Sequence, residues 1–343
     1  MTNSLFFRNL YTKCKMHGSG EAQVVISDGE LYSLLSIAFD NLCWLHGDLN
    51  MQRIVTPSED YYQIPMGWFD EQSEIAVEPA TVIDSLKAGF EKDNDFGLFF
   101  ENLTALHRRR VKYRRILSSQ PIPNMDQIGP RSLLEYGSCN TTLLANWMVW
   151  RKWIYDIDNR SAQETGYLFE PLLASCLGGE PVGSRNSPVK RLDSNGRPTS
   201  NGRQIDCLVP SNNRTYELKL RVTIAASGQG RFGEELSFAE ESQAAGFTPV
   251  LLVLDPTSSS RLTELSDKYL ACGGAFYHGE YAWNHMEEEA GEVVSVFIEK
   301  YIKPAIQGIE EVEIDLPRSI NLRWSDQEIE ISDEAASYVI KRL

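Results

Sequence analysis

Two carboxylates and one lysine stand close together along one stretch of the chain. Glu217 and Lys219 are separated by a single residue, and Asp206 precedes Glu217 by eleven positions. Mg²⁺ prefers oxygen ligands, commonly one or two carboxylates with water and phosphate oxygens, so Asp206 and Glu217 are a suitable pair. A bound Mg²⁺ can activate water, and a neighbouring lysine can orient or deprotonate that water or stabilise the transition state. These residue types predict a site for phosphodiester hydrolysis.

The three residues must be positioned by local structure. Two short apolar runs, residues 204–209 and 215–222, flank a turn-forming stretch rich in proline and asparagine, which predicts a β-hairpin. Because side chains alternate along a strand, Glu217 and Lys219 project from one face. The partner strand can then place Asp206 beside them, and all three side chains converge.

The surrounding pattern alternates helices and strands. Predicted helices cover residues 96–119, 143–153, 162–176, 234–245, 261–272 and 287–301, and predicted strands cover 248–254 and 274–277. Gly178-Gly179 is expected to end the third helix. This order predicts an α/β fold, with a mixed central β-sheet flanked by helices and a mostly helical N-terminal region. The last forty residues are acidic, with a possible strand pair and a closing helix.

Three consecutive segments are expected along the chain. Residues 1–140 form the N-terminal region, with recognition of a polymer or dimerisation as candidate roles. Residues 141–310 form the core that carries the hairpin, and residues 311–343 form an acidic C-terminal extension. Three tryptophans spaced by three residues, Trp147, Trp150 and Trp153, predict a helical stripe that is more typical of core or a dimer interface than of base stacking.

Composition excludes several classes of protein. The 343 residues are 42% hydrophobic and 24% charged, as in globular proteins, and no run approaches the ~18 apolar residues of a membrane span. The N-terminus lacks the features of a secretion signal, which predicts a cytosolic protein. Six cysteines without a CxxC pair, in a chain of this size, favour free thiols over disulfides or a zinc site.

Positive charge is concentrated in the middle of an acidic chain. The net charge is −15, yet residues 101–221 carry 18 basic and 11 acidic residues. Such asymmetry indicates a surface that faces a polyanion, unless the basic residues scatter over several faces of the fold. The candidate DNA contacts are Arg185, Lys190, Arg191, Arg197 and Arg203 before Asp206, Arg221 and Arg231 after Lys219, and Arg108 and Arg109 in a basic run at 108–115. For each arginine, a solvated loop or helix face is the alternative.

The motif residues resemble those of the PD-(D/E)XK nuclease superfamily, which includes most type II restriction endonucleases. The resemblance covers roughly residues 162–280 and rests on Ile205-Asp206, on Glu217-Leu218-Lys219 and on Glu170 in an upstream helix. It departs in one place, since Ile205 stands where many members have proline. The resemblance implies that Asp206, Glu217 and the Leu218 carbonyl bind metal, that Lys219 is catalytic, and that Glu170 is an accessory acid.

The resemblance also implies an activity. The expected protein is a Mg²⁺-dependent, site-specific type II restriction endonuclease that cuts double-stranded DNA as a homodimer and leaves a 5′-phosphate and a 3′-hydroxyl. Three alternatives stay open: a nuclease of the same fold in DNA repair or recombination, a non-catalytic DNA-binding protein whose acidic pair is structural, and an unrelated metal-dependent hydrolase of small phosphoesters.

Overall fold

The computed structural model describes residues 2–16, 24–49, 51–127, 141–220, 229–307 and 319–342. The chain divides into two compact units. The first comprises Met1–Lys15, Ile26–Thr104 and Leu168–Glu310, and the second comprises Met16–Val25, Ala105–Tyr167 and Glu311–Leu343. The sequence predicted three consecutive segments, whereas these units are interleaved along the chain, and most of the N-terminal region belongs to the unit that holds the hairpin.

The helices account for most of the described chain. They are α1 Thr2–Lys15, α2 Asp28–Asn41, α3 Met66–Ser73, α4 Pro79–Lys92, α5 Phe96–Ser119, α6 Thr141–Cys176, α7 Gln229–Ala244, α8 Ser260–Ala271, α9 Glu280–Phe297 and α10 Lys303–Gln307. A π-helical turn, Ile298–Ile302, joins the last two. Local capping explains where some of them begin: Ser27 and Glu30 form a reciprocal capping box at α2, and the Ser259 side chain accepts from the Leu262 N–H at α8.

The strands form three sheets. They are β1 Glu180–Val182, β2 Lys190–Leu192, β3 Pro198–Gly202, β4 Ile205–Val209, β5 Arg214–Lys219, β6 Thr248–Val253, β7 Ala275–His278, β8 Asn321–Trp324, β9 Glu328–Ser332 and β10 Ser337–Lys341. The five-stranded sheet of the first unit has the order β1-β4-β5-β6-β7. Its first three strands pair antiparallel and its last three pair parallel, which confirms the predicted mixed sheet. β2 and β3 form a separate antiparallel hairpin.

Helices α7 and α8 cover one face of the five-stranded sheet. Leu251 and Val253 of β6 pack there in a buried cluster with Phe238, Leu265 and Tyr269. The uninterrupted apolar run of β6 is typical of a parallel strand with both faces covered. The parallel register pairs Glu217 with Leu251 and Lys219 with Val253, so the two motif residues lie on this same covered face.

The opposite face of the sheet packs against α6 and α9. The Cys207 thiol donates to the Ala174 carbonyl over 3.7 Å, and the Tyr216 hydroxyl lies 3.1 Å from Nε2 of His285. α6 ends at Cys176, and Gly178, whose φ of +71° favours glycine, follows two residues later, which confirms the predicted helix end. A Cβ on Gly179 would lie 2.6 Å from the Cys207 sulfur, so only glycine lets the chain leave α6 this close to β4.

The second unit contains a three-stranded antiparallel sheet of order β10-β9-β8. Ile329 and Ile340 of this sheet pack with Trp153, which is buried, and with the half-buried Trp150, while Trp147 is half exposed. The tryptophan stripe is therefore largely core. The predicted closing helix is wrong, because described residues 319–342 form strands and turns.

Two other predictions about helices need correction. The helices expected at 143–153 and 162–176 are one continuous helix, α6, because the polar residues between them do not interrupt the helical backbone. α9 begins at Glu280, seven residues before its predicted start, and Gly291 interrupts it with a φ of 76°. None of the helices in the described ranges is long and apolar enough to cross a membrane.

Candidate functional site

Asp206 and Glu217 face each other across the hairpin of β4 and β5. The antiparallel register pairs Cys207 with Tyr216, and its next step sets Asp206 opposite Glu217. A 3₁₀ turn closes the hairpin and ends on Asn213 in the left-handed conformation, which asparagine tolerates better than most residues. The predicted hairpin is thus confirmed, and it brings the two carboxylates onto one face.

The Lys219 ammonium lies between two carboxylates. Its Nζ is 2.8 Å from Oε1 of Glu217 and 3.1 Å from Oε1 of Glu235 on α7. All three side chains are largely buried. Burial by itself lowers the pKa of Lys219, but the neighbouring carboxylates outweigh it and raise the pKa above its usual value. Lys219 is therefore held in its protonated form.

Glu170 approaches the same cluster from α6. It is half buried, and its pKa is raised first by burial and then by the charge of Glu217, with Lys219 opposing. Electrostatic influence of this kind requires proximity. The structure therefore brings Asp206, Glu217 and Lys219 together in one cluster, with Glu170 near enough for the charges of Glu217 and Lys219 to shift its pKa.

Asp206 lies where its ionised form is unfavourable. Burial raises its pKa well above the usual range, and the carboxylate of Glu217 raises it further. The backbone N–H of Leu218, which donates to Oδ2 over 3.0 Å, and the Lys219 ammonium oppose this shift. The raised pKa of Asp206 beside the carboxylate of Glu217 is typical of a cation site, because a bound cation offsets the repulsion between the two groups.

The donor set fits a hard divalent cation. Asp206 and Glu217 supply carboxylate oxygens on adjacent strands, and the Leu218 carbonyl lies in the same stretch of β5. Within the described ranges, no group of three or more His, Cys, Asp or Glu side chains is arranged to hold a metal ion. Mg²⁺ needs no such cage, since it commonly takes one or two carboxylates and completes its shell with water and substrate phosphate.

Sequence reasoning missed two residues at this site. Glu235 follows Lys219 by sixteen positions on a different element, so no motif spacing indicates it. A signal did exist: Glu235 is three residues after Phe232 and four before Ala239, both of which pack in the core, and a carboxylate on an apolar helix face is unusual.

Tyr269 is the second of these residues. It is fully buried, and burial followed by the charges of Glu217 and Asp206 raises its pKa. Its hydroxyl has no hydrogen-bond partner in the described part of the chain.

The predicted basic contacts before Asp206 differ in exposure. Arg185 and Arg197 are exposed on the loops that flank β2. Lys190 and Arg191 of β2 are half buried; Lys190 donates to the Ser187 carbonyl over 2.8 Å, and Arg191 pairs with Glu234 at 3.1 Å. These four side chains reach solvent on one small hairpin and its loops.

Arg203 lies in the interior, not on the surface expected of a DNA contact. It is 8% exposed, donates to the Glu234 carbonyl, and approaches Glu241 at 3.6 Å. Its guanidinium braces the end of β3 against α7. The corrected role is structural, because a side chain buried against its own protein cannot clamp an external phosphate.

The remaining predicted contacts are less accessible or not described. Arg108 is buried and Arg109 half buried in the second unit, where burial lowers the pKa of Arg109. Arg221 lies outside the described residues, as does the side chain of Arg231. Arg108 is as buried as Arg203, so its predicted contact with DNA is disfavoured for the same reason. Arg109, Arg221 and Arg231 stay predictions from sequence.

Comparison with known proteins gives a consistent result. The sequence profile of the ApaLI-like restriction endonuclease family matches residues 46–303. The type II restriction enzyme ApaLI of Acetobacter pasteurianus is 49% identical over 263 residues, which cover 76% of this chain and 69% of that enzyme. No solved structure was found to match. The matched region contains the whole carboxylate–lysine cluster, and the chain belongs to the ApaLI-like restriction endonuclease family.

Proposed function

We propose that this chain is a type II restriction endonuclease that hydrolyses phosphodiester bonds of double-stranded DNA at a specific sequence with Mg²⁺ as cofactor. One observation carries the assignment of the active site. Asp206 stands opposite Glu217 on a hairpin, and the Lys219 ammonium lies 2.8 Å from Glu217 on the same face. Membership of a restriction endonuclease family supports DNA as the substrate. A DNA substrate in turn supports a location in the cytoplasm of a prokaryotic cell.

Each residue of the cluster has a distinct part in this proposal. Asp206, Glu217 and the Leu218 carbonyl would hold Mg²⁺, which when bound supplies charge neutralisation and a more acidic water. The Leu218 N–H orients Asp206 for this task. Lys219, whose ammonium lies between two carboxylates, would act as a donor to a phosphate oxygen or to the attacking water. Glu170, whose pKa responds to the charge of Glu217, would be the accessory acid that takes part through water.

The proposed reaction is the hydrolysis of a phosphodiester bond by one water molecule. The oxygen of water forms a new bond to phosphorus while the bond from phosphorus to the 3′ oxygen breaks. The 3′ oxygen gains a proton, and the products are a 3′-hydroxyl and a 5′-phosphate. Lys219, whose ammonium is held at the cluster by carboxylates, would stabilise the negative charge that builds up on the phosphate oxygens in the transition state.

DNA contacts are proposed for the β2–β3 hairpin. Arg185 and Arg197 are exposed, and Lys190 and Arg191 have partial exposure close in sequence to β4. Arg191 pairs with Glu234 in an exposed ion pair that adds little net stability, so a phosphate can replace Glu234 as its partner.

A homodimer is proposed as the active form, because cutting both strands of a symmetric sequence requires two sites related by a two-fold axis. Sedimentation at twice the mass of the 38.8 kDa chain would support it.

Cleavage of a long DNA of known sequence tests the assignment. The purified protein is incubated with this DNA with and without Mg²⁺, alongside Lys219→Ala and the control Lys268→Ala, whose lysine pairs with Glu240 away from the site. Discrete fragments that require Mg²⁺, persist in Lys268→Ala and disappear in Lys219→Ala would support the proposal. A smear would leave a nuclease without site specificity. Binding without cleavage over varied salt and metal would favour the non-catalytic DNA-binding protein.

A further inference from the structure

Glu235 belongs to the active-site cluster although it lies outside the motif. It sits in the second turn of α7, and its Oε1 is 3.1 Å from the Lys219 ammonium. Its side chain is 15% exposed, close to the 14% of Glu217. The lysine is therefore held from two directions, by its own strand and by the helix that covers it.

The two partners of Lys219 cannot have the same role. In the proposed function, on which this inference rests, Glu217 turns its carboxylate toward Mg²⁺. That change weakens the 2.8 Å contact between Glu217 and the ammonium. A lysine on a flexible four-carbon stem would then lose its position, unless a second carboxylate kept hold of it. Glu235 is placed to do so.

We propose that Glu235 is the positioning residue of Lys219, holding the ammonium against the scissile phosphate while Asp206 and Glu217 bind the metal. Glu235 acts through the lysine and touches neither the phosphate nor Mg²⁺.

The burial of Glu235 separates it from an ordinary ion pair. Its Oε2 is buried and has no hydrogen-bond partner within the described ranges, an arrangement that costs stability. Two other carboxylates of α7 that pair with cations, Glu234 and Glu240, have side chains that are about half exposed. The third, Glu241, is buried like Glu235, and its partner Arg203 is also a buried cation. A carboxylate kept in the interior at such a cost is better explained by the demand of Lys219 for a charged partner than by stability.

The first test measures cleavage in a double-mutant cycle. Single-turnover rates are compared for Glu235→Ala, Glu235→Gln, Lys219→Ala and the double variant, with Glu240→Ala as the control from the same helix. Loss of a residue that orients a catalytic group typically costs 10- to 100-fold, so we expect a decrease of about that size in Glu235→Ala and partial recovery in Glu235→Gln. The residual rate of Lys219→Ala, followed with excess enzyme over long incubations, should change by less than about twofold when Glu235→Ala is added, because the effect of Glu235 requires the lysine.

Two measurements distinguish a positioning residue from a metal ligand or a DNA contact. The Mg²⁺ concentration for half-maximal rate and the affinity for DNA in Ca²⁺ should both stay within about twofold of wild type in Glu235→Ala. A rise in the half-maximal Mg²⁺ concentration would overturn the proposal by making Glu235 a metal ligand. Full additivity with Lys219→Ala, or a rate equal to wild type, would overturn it as well.

A readout independent of cleavage keeps this test separate from the proposed function. Acetylation of Lys219 by acetic anhydride, applied to the intact folded protein and followed by mass spectrometry of its peptides, reports how firmly the amine is held. Glu235→Ala should speed this acetylation several-fold in Mg²⁺, whereas Glu240→Ala should leave it unchanged. Equal reactivity in Glu235→Ala and wild type would refute the positioning role, even for a protein that cleaves DNA. Absence of cleavage by wild type, with the acetylation result as expected, would overturn the proposed function alone.

Discussion

Oδ2 of Asp206 accepts a 3.0 Å hydrogen bond from the backbone N–H of Leu218, which joins the two strands of the site across the hairpin. The bond fixes the orientation of Asp206 and ties it to the residue between Glu217 and Lys219. A one-residue change of register would turn Glu217 and Lys219 to the other face of the sheet. The correct pairing of the two strands therefore also assembles the site, and the geometry of the cluster depends on the hairpin.

Replacing Asp206 by asparagine is expected to stabilise the metal-free protein. Burial and Glu217 raise the pKa of Asp206, so its ionised form is unfavourable in the folded state at neutral pH. Asp206→Asn removes that charge and should raise the melting temperature in EDTA by a few degrees, as followed by circular dichroism. Mg²⁺ should then stabilise wild type but not the variant. A lower melting temperature of Asp206→Asn in EDTA would show that the hydrogen bond to Leu218 matters more than the repulsion.

The exposed arginines of the β2–β3 region are expected to set the salt dependence of DNA binding. Arg185→Ala combined with Arg197→Ala should lower the slope of log affinity against log salt by about 0.9 for each phosphate that the protein no longer neutralises. Fluorescence anisotropy in Ca²⁺ at several salt concentrations measures that slope. Arg261→Ala, on α8, is the matched control and should keep the wild-type slope. An unchanged slope in the double variant would place the DNA elsewhere.

Local periodicity made much of the fold predictable. The hairpin, β6 and α5 follow from alternation, an apolar run and helical spacing, each of which is written in neighbouring residues. Local periodicity did not predict β10, because the alanine, glutamate and lysine residues around it suit a helix. In the structure, Tyr338 and Val339 pair with β9, and Asp333 accepts hydrogen bonds from the N–H groups of the connecting turn. Tertiary pairing overrides local propensity there.

The site residues that lie on the hairpin were predictable from sequence, whereas Glu235 on α7 was not. Asp206, Glu217 and Lys219 share one supersecondary element, so their convergence follows from strand geometry. Glu235 reaches the cluster only through the packing of α7 on the sheet, and the burial of Arg203 depends on Glu241 from that helix. Contacts between distant elements leave little trace in one sequence, which explains why Glu235 was missed and Arg203 was assigned to the surface.

Arg203→Ala is expected to destabilise the fold without a direct effect on DNA contacts. Removing one partner of a buried ion pair leaves Glu241 uncompensated, which typically costs roughly 3–5 kcal/mol of unfolding free energy. Urea denaturation measures this loss. Arg197→Ala, an exposed neighbour on the same hairpin, should change the unfolding free energy by less than about 0.5 kcal/mol. A change of that small size in Arg203→Ala would contradict the interior role of Arg203.

His285 is expected to make the fold less stable as the pH falls. Burial lowers its pKa below the usual 6.5, with Glu289 opposing and Arg214 assisting, so the neutral ring is favoured in the folded state. The ring stacks on Tyr277 at 3.9 Å and lies 3.1 Å from the Tyr216 hydroxyl. The unfolded chain takes up the proton first, so stability is complete above about pH 6.5 and is lost as the pH falls through the lower folded value.

Two variants separate this titration from the loss of a hydrogen bond. His285→Phe keeps a ring that can stack on Tyr277 but cannot bind a proton, so its melting temperature should fall less than that of wild type between pH 7 and pH 5. Tyr216→Phe removes the same hydrogen bond and leaves the imidazole, so it should lose stability at pH 8 yet keep the wild-type decline. An equally steep decline in His285→Phe would assign the acid sensitivity of the fold to other groups.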